Sequence, residues 1–156
     1  MSLSIELVAA PTDDARALVG ELEAELSSVY SPEQRHGLSL DRLFRPGVLF
    51  FIARSEGEAV GCGGVAFDYD FAEVKRTYVR PHARGSGVAR AILSRLEAEA
   101  RARGLTRLTL ETGDALHAAI RLYERAGFVP CAAFGAYAAM PPHAIVRSRF
   151  FEKAIG

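Results

Sequence analysis

Residues 79–89 read V-R-P-H-A-R-G-S-G-V-A, and this stretch decides the fold. A β-type run ends at Pro81, and a glycine-rich turn then leads directly into an amphipathic helix. Gly85 and Gly87 lack a Cβ atom, so the backbone can turn sharply and approach a ligand closely. The first N–H groups of a helix have no partners within it, and together with the helix dipole and the charge of Arg84 they favour an anion. The stretch therefore predicts a site for a phosphate-bearing cofactor.

Two common phosphate-binding motifs do not fit this stretch. A dinucleotide-binding fingerprint needs a third glycine where Arg90 stands, and the preceding strand carries Glu73, Lys75 and Arg76 instead of a continuous apolar run. A P-loop needs Gly-Lys followed by Ser or Thr, and the sequence contains no such tripeptide. The cofactor is therefore held by a different type of turn.

Length and composition limit the classes of protein to consider. The chain has 156 residues, 49% of them hydrophobic, which fits one domain over residues 1–156 with a sizeable core. Basic and acidic residues number 19 each, so no net charge attracts nucleic acid or a membrane surface. Cys62 and Cys131 lie far apart and indicate neither a disulfide nor a metal site. The longest apolar run, residues 48–53, is too short to span a bilayer, and we expect a soluble cytoplasmic protein.

The hydrophobic pattern predicts the order β-α-(α)-β-β-β-α-β-α-β-β, an α+β fold. The predicted strands cover residues 3–9, 48–54, 59–69, 71–79, 107–112, a short stretch after 128, and 144–153. Helices are predicted from residue 13, over 86–103, and over 114–126, with a weak helical stretch at 39–44. Glycines at 61, 63 and 64 weaken a strand unless another element approaches its backbone, so we expect such an approach there.

Residues 84–89 resemble the acetyl-CoA motif of the GNAT superfamily of N-acetyltransferases, Arg/Gln-x-x-Gly-x-Gly/Ala. Residues 119–128, A-I-R-L-Y-E-R-A-G-F, are similar to a second signature of the same family, A-I-x-L-Y-E-x-x-G-F. Because both motifs occur in the order typical of the family, the chain is identified as a member. The resemblance covers roughly residues 47–153.

The resemblance implies a mixed, mostly antiparallel sheet of six or seven strands flanked by about four helices, with acetyl-CoA bound at a splayed strand pair. The residues that it assigns to acetyl-CoA are Tyr78, Val79, Arg84, Gly85, Ser86, Gly87, Val88 and Ala89. One position departs from the family pattern, since Leu116 stands where many relatives have an asparagine that contacts CoA. Either Asp114 or His117 replaces that contact, or Asp114 caps the following helix and His117 is exposed to solvent, which is the interpretation we favour.

The resemblance also implies two catalytic residues. Tyr123 matches the family tyrosine that protonates the departing thiolate, and an ordinary phenol is protonated at neutral pH. Glu73 occupies a strand position where some relatives keep a carboxylate base, and strict alternation places it on the same face as Thr77 and Val79. The alternative is that Glu73 is a surface residue whose charge is neutralised by Lys75 or Arg76. In that case water takes the proton from the acceptor amine.

We expect the acceptor to be a primary amine of a small molecule, such as an amino acid or a polyamine, acetylated directly in a ternary complex without a metal. Candidate acceptor-binding residues are Tyr30, His36 and Tyr137, with Asp68 and Asp70 as further candidates. Two alternatives remain, which are acetylation of a protein or peptide and a catalytically silent acyl-CoA-binding module. Exposed strand edges could pair two copies into a homodimer.

Overall fold

The computed structural model describes residues 2–156, which form a seven-stranded sheet and four α-helices. The strands are β1 (Leu3–Val8), β2 (Val48–Ser55), β3 (Glu58–Phe67), β4 (Ala72–Val79), β5 (Arg107–Gly113), β6 (Val129–Pro130) and β7 (Ser148–Ala154). The helices are α1 (Asp13–Ser27), α2 (Val88–Ala102), α3 (His117–Arg125) and the short α4 (Pro142–Ile145). Short 3-10 helices cover Pro32–Gln34, Asp41–Phe44, Pro81–Ala83 and Gly135–Ala139.

The sheet has the order β1-β2-β3-β4-β5-β7-β6. Its neighbouring strands are antiparallel except β4 and β5, which run parallel because helix α2 carries the chain from one to the other. The mixed, mostly antiparallel sheet with four helices confirms the fold predicted from the sequence.

Each face of the sheet carries its own core. Leu18 of α1 packs with Ile52 and other residues of one face. Leu96 of α2 and Tyr123 of α3 pack with Phe51 and its neighbours on the opposite face. Alternate side chains of a strand point to opposite faces, so the apolar run of β2 supplies both cores.

The helix ends follow local sequence signals. The Thr12 hydroxyl accepts a hydrogen bond from the Ala15 N–H (3.1 Å) and caps α1. Gly104 follows α2 with a φ of +77°, a conformation that favours glycine at a helix end. Helix α2 begins at Val88, two residues later than predicted, because Gly85 and Gly87 take φ values of +82° and +86° and keep the turn open.

Helix α2 approaches β3 closely at two glycines. A Cβ atom on Gly63 would lie 2.5 Å from Cγ2 of Ile92, and one on Gly61 would lie 3.3 Å from side-chain atoms of Ile92 and of Val88. Ile92 is fully buried and has no room to move aside. The close approach predicted from the glycine-rich strand is therefore confirmed, and α2 is the element that makes it.

Strand β4 contains a bulge at Arg76, whose φ is +55°. Val74 and Val79 both contribute to the core under α2 although they are five residues apart, so the strand changes face at the bulge. The prediction that Glu73 shares a face with Thr77 and Val79 is therefore wrong, because strict alternation does not hold across the extra residue.

The Arg76 side chain fixes the bulge. Its Nε donates to the Leu38 carbonyl oxygen (2.8 Å), and its Nη2 forms an ion pair with Glu23. A Cβ atom on Gly37 would collide with the Arg76 guanidinium, so a glycine is required for the loop to pass over it. These contacts stabilise the left-handed backbone of a non-glycine residue.

The segment before β7 is more helical than the predicted loop and strand. Residues Gly135–Ala139 form a 3-10 helix, and α4 delays the start of β7 to Ser148. Phe134 and Tyr137 pack against Phe71 in a small separate core at this end of the sheet. The segment is thereby held against the start of β4.

Strands β1 and β6 form the two edges of the sheet. Leu7 on β1 and Val129 on β6 are each about half exposed, at 55% and 54%. The homodimer stays a prediction. Within residues 2–156, every helix is too short or too polar to cross a membrane.

The contact between Gly63 and Ile92 generates a stability prediction. Gly63→Ala should lower the free energy of unfolding by about 1–3 kcal/mol, because the new methyl group overlaps a side chain that cannot move. Gly20→Ala is the matched control, since Gly20 lies inside α1 with no atom within 4 Å of its Cβ position, and it should stabilise by about 0.5–1 kcal/mol. Urea denaturation measures both. Equal effects of the two substitutions would contradict the close packing of α2.

Candidate functional site

Strands β4 and β5 separate soon after they pair. Their ladder has three positions, Ala72 with Leu108, Glu73 with Thr109 and Val74 with Leu110, and the strands then part. A cavity of about 130 Å³ opens beside the gap. Its lining includes five residues singled out from the sequence, namely Tyr30, His36, Glu73, Tyr123 and Tyr137. The structure therefore brings the predicted catalytic and acceptor-binding residues together.

The turn before α2 is open to a ligand. A Cβ atom on Gly85 or on Gly87 would have no other atom within 4 Å, so the two glycines leave free space above the turn. The Ala91 N–H is the first in α2 to bond within the helix, to the Gly87 carbonyl oxygen (3.0 Å). The N–H groups of Val88 and Ala89 thus stay available, as an anion site requires.

Arg84 holds this turn against its surroundings. Its Nε donates to the Val79 carbonyl oxygen (2.8 Å), and its Nη2 pairs with Glu25 of α1 (2.8 Å). The Ser86 hydroxyl donates to the Ala83 carbonyl oxygen (2.6 Å) and closes the turn from inside. The charge of Arg84 is therefore partly neutralised, and the main-chain N–H groups are the principal anion-binding groups of the turn.

The end of β4 presents backbone to the gap. The Arg80 N–H donates to the Val60 carbonyl oxygen of β3 (2.8 Å), so the polar groups of Val79 point to the other side, towards β5. The Tyr78 side chain packs on the α1 face, and its hydroxyl donates to Glu21 (3.2 Å). An extended ligand could therefore pair with the backbone of Val79 as an added strand.

Tyr123 lies on α3 at the wall of the cavity. Its ring packs edge to face on Phe128, with 6.0 Å between the ring centroids. Burial raises the pKa of Tyr123 to about 12, an effect only partly offset by the neighbouring Thr77 hydroxyl. The Thr77 oxygen is itself buried and has no hydrogen-bond partner within residues 2–156. The phenol of Tyr123 consequently keeps its proton throughout the physiological pH range.

Glu73, Lys75 and Tyr137 form a compact polar group in the cavity. The Lys75 ammonium lies 2.9 Å from Oε2 of Glu73 and donates to the Tyr137 hydroxyl (2.8 Å). That hydroxyl donates to the same Oε2 (2.6 Å), whereas Oε1 of Glu73 has no hydrogen bond in the described part of the chain. The sequence offered an ion pair of Glu73 with Lys75 or Arg76 only as the alternative to a catalytic base, and the pair with Lys75 is present. The sequence did not indicate that Tyr137 completes the group.

Glu111 on β5 is a site residue that sequence reasoning missed. Its Oε2 accepts a hydrogen bond from the Ser148 hydroxyl (2.7 Å), and the residue lines the cavity. Burial raises the pKa of the Glu111 carboxyl above its usual value. A signal was present in the sequence, because a glutamate interrupts an otherwise apolar and threonine-rich strand between Leu110 and Thr112.

Arg35 was also missed. Its Nη1 pairs with Oε2 of Glu23 (2.8 Å), and Arg76 pairs with the other oxygen of the same carboxylate. Arg35 and Arg76 both line the cavity. No local pattern in the sequence marks Arg35, because the loop that carries it is placed by distant contacts.

Tyr30 and His36 line the cavity, but their polar atoms are already bonded. The Tyr30 hydroxyl donates to Asp114 (3.2 Å) and accepts from the Ala115 N–H (2.9 Å). His36 donates its Nε2–H to the Ala144 carbonyl oxygen (2.7 Å), and its ring packs edge to face on Tyr137. These two residues therefore present mainly ring surface to the cavity.

Two further expectations are corrected. Asp114 does not cap α3, because its carboxylate pairs with Arg147 (3.0 Å) and receives the Tyr30 hydroxyl, and Leu116 takes the N-cap position without a side-chain bond. Asp68 and Asp70 lie outside the residues that line the cavity. They follow β3, on the loop that leads into β4, away from the gap.

Both thiols are unsuited to be nucleophiles. Burial raises the pKa of Cys62 to about 12, and burial also raises the pKa of Cys131. Neither residue lines the cavity. In the part of the chain that the structure covers, residues 2–156, no three His, Cys, Asp or Glu side chains cluster so that they could hold a metal ion.

Comparison with known proteins agrees with this geometry. Residues 16–128 match the family described as the acetyltransferase (GNAT) family. The chain is 41% identical over 148 residues to an IAA acetyltransferase of Azospirillum brasilense, covering 93% of this chain and 94% of that protein.

Solved structures show the same architecture. The structure of a proposed acyl-CoA N-acyltransferase of Klebsiella pneumoniae superposes with a TM-score of 0.79 and 34% identity, covering 99% of this chain and 98% of that one. The PaiA N-acetyltransferase of Thermoplasma acidophilum, solved in complex with coenzyme A, superposes with a TM-score of 0.70 at 16% identity, covering 99% of each chain.

The open turn generates a binding prediction. Gly87→Glu should weaken CoA binding about 100-fold or more, because it places a carboxylate and a side chain in the free space where the phosphates bind. Gly104→Glu is the matched control, since Gly104 has a similar φ and equally free space at the opposite end of α2.

Both variants should lose about 1–2 kcal/mol of stability from the left-handed backbone. CoA affinity is measured by calorimetry and stability by thermal unfolding. Similar CoA affinities of the two variants would show that the turn is not the phosphate site.

Proposed function

Since the chain belongs to the GNAT family of acetyltransferases and is an acetyl-CoA-dependent N-acetyltransferase, we propose that its acceptor is the primary amine of a small molecule. The observation that supports this proposal is the cavity beside the β4–β5 gap, whose volume of about 130 Å³ suits a compact acceptor. Two segments, around His36 and around Tyr137, border it.

Acetyl-CoA supplies an acetyl group activated as a thioester, and the residues of the gap fit its other parts. The turn at Gly85–Ala89 offers free N–H groups and space for the two linked phosphates. The backbone N–H of Val79 offers a hydrogen bond for the extended arm, alongside β4, whereas its carbonyl oxygen already accepts from Arg84. These groups belong to rigid elements, so they orient the cosubstrate before the acceptor reacts.

We assign the stabilisation of developing negative charge to the backbone at the end of β4. When the amine attacks, the thioester oxygen gains charge, and an N–H donor that already points at it lowers the barrier without reorganisation. We propose the Val79 N–H as this donor, because it lies on the side of β4 that faces the gap. The side chain of Val79 takes no part in this step, since it packs under α2.

Tyr123 is the general acid of the proposed mechanism. The leaving thiolate requires a proton, and the buried phenol of Tyr123 holds one because its pKa is raised to about 12. Its position supports this role, since Tyr123 lines the cavity together with Ala119 of α3 and Leu116 at the N-cap of that helix.

Glu73 is the proposed base. An acceptor amine must lose a proton before it attacks, and Oε1 of Glu73 is unbonded while Lys75 and Tyr137 fix Oε2. The carboxylate is therefore held in one orientation, with one oxygen left to receive a proton. The chain offers no thiolate for an acyl-enzyme, because the pKa values of both cysteines are raised, and direct transfer in a ternary complex follows.

A panel of amines tests the acceptor class against the alternatives. Release of free CoA is measured with acetyl-CoA and with small amines, a peptide amine terminus or a protein lysine. Turnover of small amines well above hydrolysis supports the proposal. Turnover of peptides alone would replace it by a protein acetyltransferase, and CoA binding without any amine-dependent turnover would indicate a binding module.

Tyr123→Phe tests the general acid. The substitution should lower kcat by about 100-fold with unchanged CoA affinity, because the thiolate loses its proton donor while the ring packing remains. Tyr69→Phe, in a side chain that is 96% exposed, is the matched control and should leave kcat unchanged. Steady-state kinetics measures both. A Tyr123→Phe rate within twofold of the wild type would assign Tyr123 a packing role.

Glu73→Gln tests the base. The variant should lower kcat/KM by about 100-fold near pH 7, where the acceptor is an ammonium ion, because the amide cannot take its proton. The loss should shrink towards about pH 9–10, since more of the amine is then already neutral in solution. The measurement is the pH profile of kcat/KM for both enzymes. A loss below twofold at every pH would make water the base.

A further inference from the structure

The guanidinium of Arg35 has one edge without a partner. Nη1 is held by Glu23 (2.8 Å), whereas Nε is buried and has no hydrogen bond within residues 2–156. Nη2 likewise makes no hydrogen bond or ion pair with the described residues. Nε and Nη2 form the edge of a guanidinium that binds both oxygens of a carboxylate.

Arg80 shows this geometry elsewhere in the same chain. Its Nε and Nη2 donate to the two oxygens of Glu21, at 3.1 and 2.9 Å. Arg35 has the same edge without a carboxylate on it, and Arg35 lines the cavity. A buried N–H group without an acceptor is unfavourable, so a ligand that supplies one is bound more tightly.

The charges around the cavity do not cancel locally. Lys75 and Glu73 form a neutral pair, but Arg35 and Arg76 share the single carboxylate of Glu23, which leaves one excess positive charge. Among residues 2–156, only the Ser148 hydroxyl holds Glu111, and no cationic side chain lies within bonding distance of it. The cavity therefore carries one uncompensated cation, which favours an anionic group of the ligand. At Glu111 it offers a carboxyl group whose Oε1 has no hydrogen bond within residues 2–156 and can accept one from an amine.

We propose that the acceptor is an amino acid, with its carboxylate bound by the Nε–Nη2 edge of Arg35 and its amino group drawn to the Glu111 side of the cavity. This inference rests on the proposed small-molecule acetyltransferase function and narrows it. It excludes polyamines as the preferred acceptors, since they carry no carboxylate. Arg35 is thereby a specificity-determining residue that does not touch the reacting atoms.

Pairs of acceptors that differ only in the carboxylate test the inference. Glycine is compared with methylamine, β-alanine with ethylamine and γ-aminobutyrate with propylamine, and kcat/KM is measured for the wild type and for Arg35→Gln. The three amino acids differ in the distance between the amino group and the carboxylate, so their kcat/KM values also show which distance the cavity prefers. In Arg35→Gln, kcat/KM for the preferred amino acid should fall about 10- to 100-fold, chiefly through KM, because a charge-assisted bidentate contact is lost.

The matched amine should change less than threefold in the same variant. The amino acid and its matched amine differ in basicity, but this difference is the same for both enzymes. It therefore cancels when the ratio of their kcat/KM values is compared between the wild type and Arg35→Gln. Arg35→Lys should recover only part of the preference, since an ammonium provides a charge without the planar pair of donors. Arg54→Gln removes another arginine held by carboxylates, outside the cavity lining, and should not alter the preference.

Two results would overturn the inference while leaving the acetyltransferase function intact. One is a wild-type enzyme that acetylates the amines as well as the amino acids, a result that does not depend on any variant folding. The other is an equal decrease of kcat/KM for the amino acid and for its matched amine in Arg35→Gln. Thermal unfolding of the variant would then show whether a less stable fold causes that decrease. Absence of turnover with every small amine would instead overturn the proposed function, and this inference with it.

Discussion

The left-handed backbone of Arg76 is the constraint on which the site depends. A strand without this bulge would keep Glu73, Thr77 and Val79 on one face, and the polar group of the cavity would lie under α2. The bulge sends Glu73 and Lys75 to the acceptor side and Val79 to the opposite core. A non-glycine residue in this region costs roughly 1–3 kcal/mol, and the contacts of Arg76 with Leu38 and Glu23 offset that cost. The strained backbone of Arg76 and the placement of Glu73 and Lys75 in the cavity therefore both result from the bulge.

The position of helix α2 on the sheet is the second constraint on the site. Its contact with Gly61 and Gly63 sets its distance from the sheet, and its first turn then has only one position relative to the end of β4. Arg84 ties that first turn to Val79 and to α1. The anion-binding N–H groups and the backbone that faces the gap consequently belong to one rigid unit, whereas the acceptor side is built from loops.

This division explains what the sequence could predict. Gly85, Gly87 and Tyr123 lie in short contiguous motifs whose chemistry depends on local backbone, so their placement follows from the pattern. The face change at Arg76 has no local signal, because the contacts that stabilise it come from residues about forty to fifty positions earlier in the chain. Glu111 and Arg35 acquire their character only through burial and through distant partners, Ser148 and Glu23. Local periodicity contains neither kind of information.

The burial of the two cysteines also bears on how this enzyme can be studied. Thiol-specific reagents react with the thiolate form, and the raised pKa values of Cys62 and Cys131 keep both residues protonated at neutral pH. Cys62 is in addition fully buried on β3, in the core between the sheet and α1. Chromogenic disulfides and maleimides will therefore report newly liberated CoA without a contribution from Cys62, and the partly exposed Cys131 is the thiol whose background a control without acetyl-CoA must measure.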